Sequence, residues 1–418
     1  MSEAKPFVIS KRLVWEAYQR VKSNRGAAGV DRQSIKDFDR DRDRNLYRIW
    51  NRMSSGSYFP PPVKAVPIAK KSGGVRMLGV PTVSDRIAQT TVTLALEPVL
   101  EPVFHEDSYG YRRGKSAHDA LAVTRKRCWR YDWVLEYDIR GLFDNIDHTL
   151  MLKALLHHCS EPWIVHHVKR WLTAPMQESD GTLTQRRVGT PQGGPLSPVL
   201  SNLFLHYALD NWLATHHSGV PFCRYADDGV LHCQSQAEAT RLHEQLDARL
   251  ADCGLQLHPE KTRIVYCSGR RGAHENVKFD FLGYTFQPRA AKNRSGRLFV
   301  SFLPAMSRAA MKSIRQTIRG WRLHRKSESS LESLAKLMAP SVRGWMNYYC
   351  RFYGSMFQVI ARHLDRVLIR WAMRKYKRLR AKRRRACAWL EDMRQRHPGL
   401  FVHWSGRGAF AVGTMGAR

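Results

Sequence analysis

A chain of 418 residues is long for one domain and natural for two or three, and its 43% hydrophobic content is enough to build cores. Lys and Arg number 69 against 36 Asp and Glu, a formal net charge of +33, and an excess of that size calls for a polyanionic partner such as nucleic acid. Histones, ribosomal proteins and cationic membrane peptides are as basic but usually short or poor in aromatics, and the 12 Trp, 15 Tyr and 16 Phe of this chain point away from them, towards a large folded nucleic-acid enzyme.

In chain order, residues 1–95 mix short helical patterns with Gly- and Pro-rich stretches, NRGAAGVD at 24–31 and PPPVKAVPIAKKSGGVR at 60–76. Both stretches read as loops that touch a ligand backbone. From 96 to 305, apolar helical patterns alternate with strand-like runs: WVLEYDI at 133–139, PFCRYA at 221–226, GVLHC at 229–233 and FDFLGYTF at 279–286. This predicts an α+β domain with an antiparallel sheet. Residues 306–365 read as helices without strands, punctuated by Gly320 and Pro340. Residues 366–418 open on RVLIRWAMRKYKRLRAKRRR, with eleven Lys or Arg and no acid. A solvated basic helix is one reading of that run; the interleaved Val367, Leu368, Trp371 and Tyr376 favour an RNA- or DNA-binding surface.

The eight cysteines never form a C-x-x-C pair, so a zinc module is not expected and free thiols in a reducing compartment are. The N-terminus lacks the apolar core of a signal peptide, and no stretch approaches ~18 apolar residues. The expectation is a soluble, intracellular protein with no membrane partner.

The acids are scarce, which makes their placement informative. YADD at 225–228 sets two adjacent aspartates between strand-like runs, a hairpin with acids at its turn, although an ordinary turn is also rich in Asp. YDIRGLFDNIDH at 137–148 puts Asp138 at the end of an apolar strand. Three carboxylates held together need cations among them, as when hard oxygen ligands hold Mg²⁺ beside substrate phosphates. Two such ions are the equipment of phosphoryl transfer to a nucleic-acid end.

YADD with the upstream D-I-x-x-x-F-D resembles the palm of reverse transcriptases. VPIAKKSGGVRMLGVPTVSDRIAQ at 66–89 and GYRRGKSAHDAL at 110–121 are similar to the fingers of the group II intron type. TPQGGPLSP at 190–198 and LQLHPEKTRI at 255–264 resemble later palm motifs, FDFLGYTF the primer-contacting one, NRGAAGVD the segment before the fingers, and RGWMNYY at 343–349 the maturase, or thumb, domain.

The resemblance implies a right-hand polymerase: N-terminal extension and fingers over 1–95, palm with remaining fingers segments over 96–305, an α-helical thumb/maturase domain over 306–365, and a basic nucleic-acid-binding extension over 366–418. It implies an RNA-directed DNA polymerase with two Mg²⁺ ions and dNTPs, acting on an RNA template and DNA primer or target. It further implies a maturase that binds its intron RNA, assists splicing and mediates retrohoming, in the bacterial cytoplasm and at the nucleoid when acting on DNA. A domesticated enzyme in phage defence, CRISPR adaptation or DNA repair, or a splicing-only maturase, stays open. With no cysteine pair for an HNH endonuclease, no second-strand cleavage is expected.

Residue by residue, the resemblance makes Asp138 and Asp227 metal-bridging ligands, with Asp228 completing the site and Ile139 offering a backbone carbonyl. Phe143 falls at the steric gate against a 2′-hydroxyl, or is a core residue. Lys70 and Arg76 would clamp the triphosphate, with Lys71 the alternative to Lys70, around flexible Gly73 and Gly74. Gln192, with Gly193 and Gly194 allowing close approach, would line the nucleotide. Lys261, Arg343, Arg374, Lys375 and Arg378 are candidate nucleic-acid contacts, as is Tyr348, whereas Trp345 and Tyr349 fit the thumb core. Asp144 and Asp147 read as turn or cap acids. Leu142 stands where many relatives carry an aromatic.

Overall fold

The computed structural model describes residues 5–69, 74–268, 274–293 and 295–405. The chain divides into two compact units: Met1–Ser116, Tyr137–Gly229 and Thr240–Thr262 form the first, and Ala117–Glu136, Val230–Ala239 and Arg263–Arg418 the second. The strands, in chain order, are β1 (Val63–Ala69), β2 (Val75–Val80), β3 (Trp133–Asp138), β4 (Met176–Gln177), β5 (Leu183–Thr184), β6 (Phe222–Tyr225), β7 (Asp228–Cys233), β8 (Arg263–Tyr266), β9 (Phe279–Phe281), β10 (Tyr284–Lys292) and β11 (Leu298–Met306). The fold is α+β, and every strand pair described below but one is antiparallel.

In the first unit a four-stranded sheet runs β2-β1-β4-β5. β1 and β2 pair antiparallel from Lys64↔Val80 to Ala69↔Val75, and β1 meets β4 in parallel at Val63↔Met176. This corrects the expectation that 60–76 is simply a ligand-touching loop. The prolines at 60–62 precede the strand, and Pro67 sits inside β1, so Pro and Gly content masks a hairpin whose apolar alternation is weak. NRGAAGVD is a loop, as expected, and two of its glycines pack against the protein: a Cβ on Gly26 would fall 1.7 Å from Arg86 Nη1, and one on Gly29 2.7 Å from the Thr82 backbone. Those glycines serve packing within the protein.

The helix Val83–Leu100 is buried over most of its length, polar residues included. Thr82 caps it, its Oγ1 accepting the Asp85 N–H at 3.1 Å. Asp85 is fully buried, and its carboxylate accepts from Tyr58 Oη (2.9 Å), Trp171 Nε1 (2.8 Å) and Gln89 Nε2 (2.9 Å). Burial pushes its pKa up to about 6 against the pull of those three donors. The folded chain therefore holds this proton more tightly than the unfolded one. The resulting stabilisation is full below about pH 4 and is lost as pH rises through about 6, a change of ~3 kcal/mol at ~1.4 kcal/mol per unit. Asp85→Asn is expected to remove that slope. Urea unfolding from pH 4 to 6.5 checks it: parallel wild-type and variant curves would contradict the assignment.

The second unit holds the sheet β11-β10-β9 and the pairing of β3 residues Trp133–Glu136 with β8. FDFLGYTF is two strands rather than one run, because Leu282 (φ 50°) and Gly283 (φ 77°) turn the chain between β9 and β10. After β11 the unit is helical, and its core gathers Met306, Ile314, Leu334, Met338, Leu364, Leu368 and Trp371. Gly320 does end a helix, Arg308–Gly320, but Pro340 lies inside the 23-residue helix Leu331–Tyr353. The helix Gln358–Lys375 runs unbroken past residue 365, because Ile360, Leu364, Leu368 and Trp371 continue one buried stripe. Among the described residues no helix is long and apolar enough to cross a membrane.

Candidate active site

The site lies in the first unit and begins with a turn. β6 ends at Tyr225, Ala226 takes a left-handed conformation (φ 58°), and Asp227 and Asp228 follow. A non-glycine residue pays for that conformation, and its neighbours fix it. Arg224 is wholly buried; its Nη1 donates to Ala226 O at 3.1 Å and to Asn202 Oδ1 at 3.1 Å, and its Nε donates to Asp210 Oδ1 at 2.7 Å. Asp210 sits in a wide, π-type helical turn, His206–Asp210, whose loosened carbonyls at Tyr207 and Ala208 are taken up by Arg249 at 3.0 and 3.1 Å. On the other side, a Cβ on Gly110 would stand 2.4 Å from Ala226 N, and one on Gly229 2.1 Å from the Tyr137 ring. The hairpin is clamped from every side.

Asp138 arrives from the end of β3. The Ile139 N–H donates to Asp227 O at 3.2 Å, and the His258 N–H donates to Asp138 O at 2.8 Å. Backbone hydrogen bonds thus bring the two acidic segments together. Asp228 hydrogen-bonds Asp138, and its pKa is raised by burial first, then by that bond and by the charges of Asp227 and Asp138. Asp227 is raised by burial and by Asp138, with Arg76 and Lys261 pulling the other way. Lys261 Nζ lies 2.8 Å from Asp138 Oδ2. Burial works against its charge, but the Asp138 hydrogen bond and the surrounding carboxylates win and raise its pKa.

Among the described residues no group of three or more His, Cys, Asp or Glu is spaced as a ready-made metal cage. By type the donors nonetheless fit a hard divalent cation: crowded carboxylate oxygens, raised pKa values, and one ammonium already drawn in to offset them.

Asp138 and Asp227 line a cleft of about 740 Å³ together with Arg76, Ile139, Phe143, Gln192 and Lys261 among others, so these dispersed sequence candidates share one space. Phe143 is 7% exposed and lies on a short helix that Gly141 starts at φ 60°. Its carbonyl accepts the Thr190 N–H at 2.7 Å, pinning the TPQGG loop against it. Arg76 Nε donates to Gln192 Oε1, and Gln192 Nε2 donates to Asp144 Oδ2 at 3.2 Å. Lys70, Lys71 and Gly73 lie outside the described residues, while nothing approaches a Cβ built on Gly74.

Some readings change. Gly193 and Gly194 are needed against the protein itself: a Cβ on the first would meet Gly79 O at 2.7 Å and one on the second Gln89 Oε1 at 2.7 Å. Asp147 is a helix cap, accepting the Leu150 N–H at 2.8 Å, but Asp144 lines the cleft and holds Gln192. Arg186, Arg187 and His258 also line the cleft and were not expected. The paired arginines directly before VGTPQGG were the available signal, hidden by the abundance of cations.

In the second unit Arg343, Arg374 and Arg378 are exposed, as nucleic-acid contacts need to be. Lys375 is not free: its Nζ donates to Ser327 O and Ser329 O, both at 2.9 Å. Tyr348 is committed too, its hydroxyl donating to Leu282 O at 2.8 Å. Leu368 and Trp371 are fully buried, with Trp371 Nε1 donating to Lys326 O, and Val367 and Tyr376 pack against the same core, so the apolar residues of the run serve packing. Trp345 stacks on Trp321 at 5.6 Å, in keeping with a core role.

Residues 68–286 match the family described as reverse transcriptase (RNA-dependent DNA polymerase), and residues 311–389 match the maturase-specific domain of group II introns. The chain is 34% identical to the group II intron-encoded protein LtrA of Lactococcus lactis subsp. cremoris, over 48% of this chain and 33% of that protein. It is 31% identical to protein YkfC of Escherichia coli (strain K12), over 57% of this chain and 70% of that one. The chain thus spans about a third of the length of LtrA. An apo telomerase structure from Candida tropicalis, truncated from its C-terminal domain, aligns with 54% of this chain and 53% of its own at TM-score 0.43 and 14% identity.

Proposed function

We propose, because the chain belongs to the reverse transcriptase (RNA-dependent DNA polymerase) family and carries a group II intron maturase-specific domain, that it copies RNA into DNA by adding dNTPs to a primer 3′-hydroxyl, and that it binds its intron RNA to assist splicing and retrohoming. The observation that carries the polymerase reading is the gathering of Asp138, Asp227 and Asp228, the first two lining a cleft that also presents Arg76, Phe143 and Gln192.

Asp138 and Asp227, with Asp228 in a less direct role and Ile139 contributing its backbone carbonyl, are the residues that would hold two Mg²⁺ ions. Such ions, when bound, supply an activated 3′-hydroxyl and a stabilised leaving oxygen. The chain's own groups do the rest. The Arg76 guanidinium, held by Gln192, meets the triphosphate. Gln192, anchored on Asp144, lines the base and sugar. Lys261 offsets carboxylate charge on the cleft wall. Phe143 closes the space where a ribose 2′-hydroxyl would sit, and its backbone grip on Thr190 keeps the ring from yielding.

Phe143→Ala tests this reading. The wild type is expected to incorporate dNTPs on an RNA template and to reject rNTPs; the variant is expected to keep dNTP incorporation within about tenfold while admitting rNTPs at least ~10-fold more readily, at ~1.4 kcal/mol of lost discrimination per decade. Unchanged selectivity would return Phe143 to a core role. No incorporation by the wild type would sink the polymerase reading.

A further inference from the structure

A cleft of about 320 Å³ on the first unit, apart from the one that the aspartates line, lies at the small end of the roughly 300–1,000 Å³ typical of ligand sites. Three helical segments supply its lining: His148–His158, the helix Ser197–Leu205 with the wide turn His206–Asp210 that continues it, and the end of Gln236–Asp252 with the Cys253 that follows. Ala154, Phe204, Ala208 and Cys253 are buried and give the cleft an apolar floor, and Leu150, 39% exposed, carries the apolar lining out to the surface. The charged lining leans towards cations: Lys153 and Arg249, with His157 as a further donor, against Asp252 alone.

Arg249 joins this cleft to the chemistry. Its Nε donates to Ala208 O at 3.1 Å and its Nη2 to Tyr207 O at 3.0 Å, both carbonyls of the wide turn. The same turn sets Asp210 on Arg224, and Arg224 holds the Ala226 carbonyl directly before Asp227. The bonds that Arg249 makes to neutral carbonyls are weaker than those it would make to a carboxylate or sulfonate, which are roughly twice as strong, so an anion entering the cleft competes with the turn for the guanidinium. An apolar floor beside cations favours a molecule with both parts: burial of its body supplies affinity, and the cations orient its charge.

We infer that this cleft binds a small organic anion with an apolar body, a carboxylate or sulfonate on a ring or short chain, and that its occupant slows catalysis by drawing Arg249 from the turn that positions the YADD hairpin. The slowing rests on the polymerase reading above; the binding does not. Arg249 is thereby a positioning residue, which acts through Asp210 and Arg224 rather than on the substrate.

Anilinonaphthalene sulfonate joins such a body to such a charge and fluoresces when its rings leave water, and phenylnaphthylamine is the same body without the sulfonate. Lys153 and Leu150 are both exposed, so Lys153→Glu and Leu150→Glu each set a carboxylate at the edge of the cleft without opening the core. Fluorescence titration, melting temperature and primer-extension kinetics are measured on the full chain and both variants.

The wild type is expected to bind the sulfonate at one saturable site, at least ~10-fold more tightly than phenylnaphthylamine, and each variant to bind it at least ~10-fold more weakly with melting temperature unchanged. At saturation the sulfonate is expected to lower wild-type kcat roughly tenfold, with the KM for dNTP and for primer–template unchanged, and the variants to need correspondingly more of it. Arg249→Gln is expected to lower kcat roughly tenfold with no probe present, and Arg249→Lys to recover part of that loss. Equal affinity for the two probes, or wild-type affinity in both variants, would overturn the ligand assignment. So would a raised primer–template KM at constant kcat, which would make the probe a competitor for nucleic acid. Binding at the cleft with kcat unmoved would break the link through Arg249. A wild type that extends no primer would fail the polymerase reading and with it the slowing, and the titration would still decide the binding site.

Discussion

Asp227→Asn is expected to lower RNA-templated DNA synthesis by at least ~10³-fold, about 4 kcal/mol of transition-state stabilisation, while melting temperature stays level or rises. The two effects have one origin. Asp227 is half-buried beside Asp138 and Asp228, and burial together with Asp138 raises its pKa, which means that its charge is held at a cost to the fold. An amide of the same shape removes that repulsion and, with it, the carboxylate oxygen that the chemistry requires. Oligonucleotide affinity is expected to stay within about twofold, since Asp227 is an acid in a basic surface. Steady-state extension, thermal melting and anisotropy on the same preparation check all three. A variant that loses stability and activity together would show Asp227 to be a structural residue.

The second large effect belongs to the pair Arg224–Asp210, both 0% exposed in their side chains. Asp210→Leu leaves a guanidinium buried without its counter-charge, and breaking such a pair costs roughly 3–5 kcal/mol. The double variant Arg224→Met with Asp210→Leu removes both charges, and well-packed apolar replacements of buried ion pairs are often neutral or stabilising. Stability is therefore expected to return in the double variant. Activity is not: Arg224 also holds the Ala226 carbonyl and Asn202, and Ala226 sits in a left-handed turn directly before Asp227. A displaced hairpin is expected to cost about 10²-fold in kcat with little change in KM. Urea unfolding and extension kinetics on the single and double variants separate the two roles. Recovery of kcat along with stability would reduce the pair to a packing element.

What was legible in the sequence and what was not divides along physical lines. Asp138, Asp227 and Asp228 stood out because carboxylates are scarce here and fall at the edges of apolar strand-like runs, so local pattern and chemistry agreed. Arg76, Phe143, Gln192 and Lys261 reach the same cleft, and their convergence was legible only through resemblance, because they come from distant parts of the chain. β1 and β2 were hidden by Pro67 and by the glycines of their connection, which are turn signals in a hairpin and loop signals elsewhere.

Glycines announced close approach without naming the partner. Gly26, Gly29, Gly193 and Gly194 all mark close approach, but to Arg86, Thr82, Gly79 and Gln89 of the protein itself. A sequence shows that a side chain is absent, not what fills the space. The aromatic residues of the basic run were read too far towards nucleic acid: Trp371 continues, three residues on, the i, i+4 stripe of Ile360, Leu364 and Leu368, and burial rather than base stacking explains it. Lys375 looked like one more free cation and instead serves two backbone carbonyls. The Arg224–Asp210 pair was invisible because a single wide helical turn aims Asp210, and no spacing rule announces such a turn.

The most direct test of the central claim is extension of a labelled DNA primer annealed to RNA by the wild-type chain with dNTPs and Mg²⁺, run beside the same reaction with EDTA. A metal-dependent reverse transcriptase gives template-dependent extension with Mg²⁺ and none with chelator, together with unchanged binding of the primer–template. Tight binding without extension under any divalent ion would contradict that claim, and would leave a protein that holds RNA without copying it.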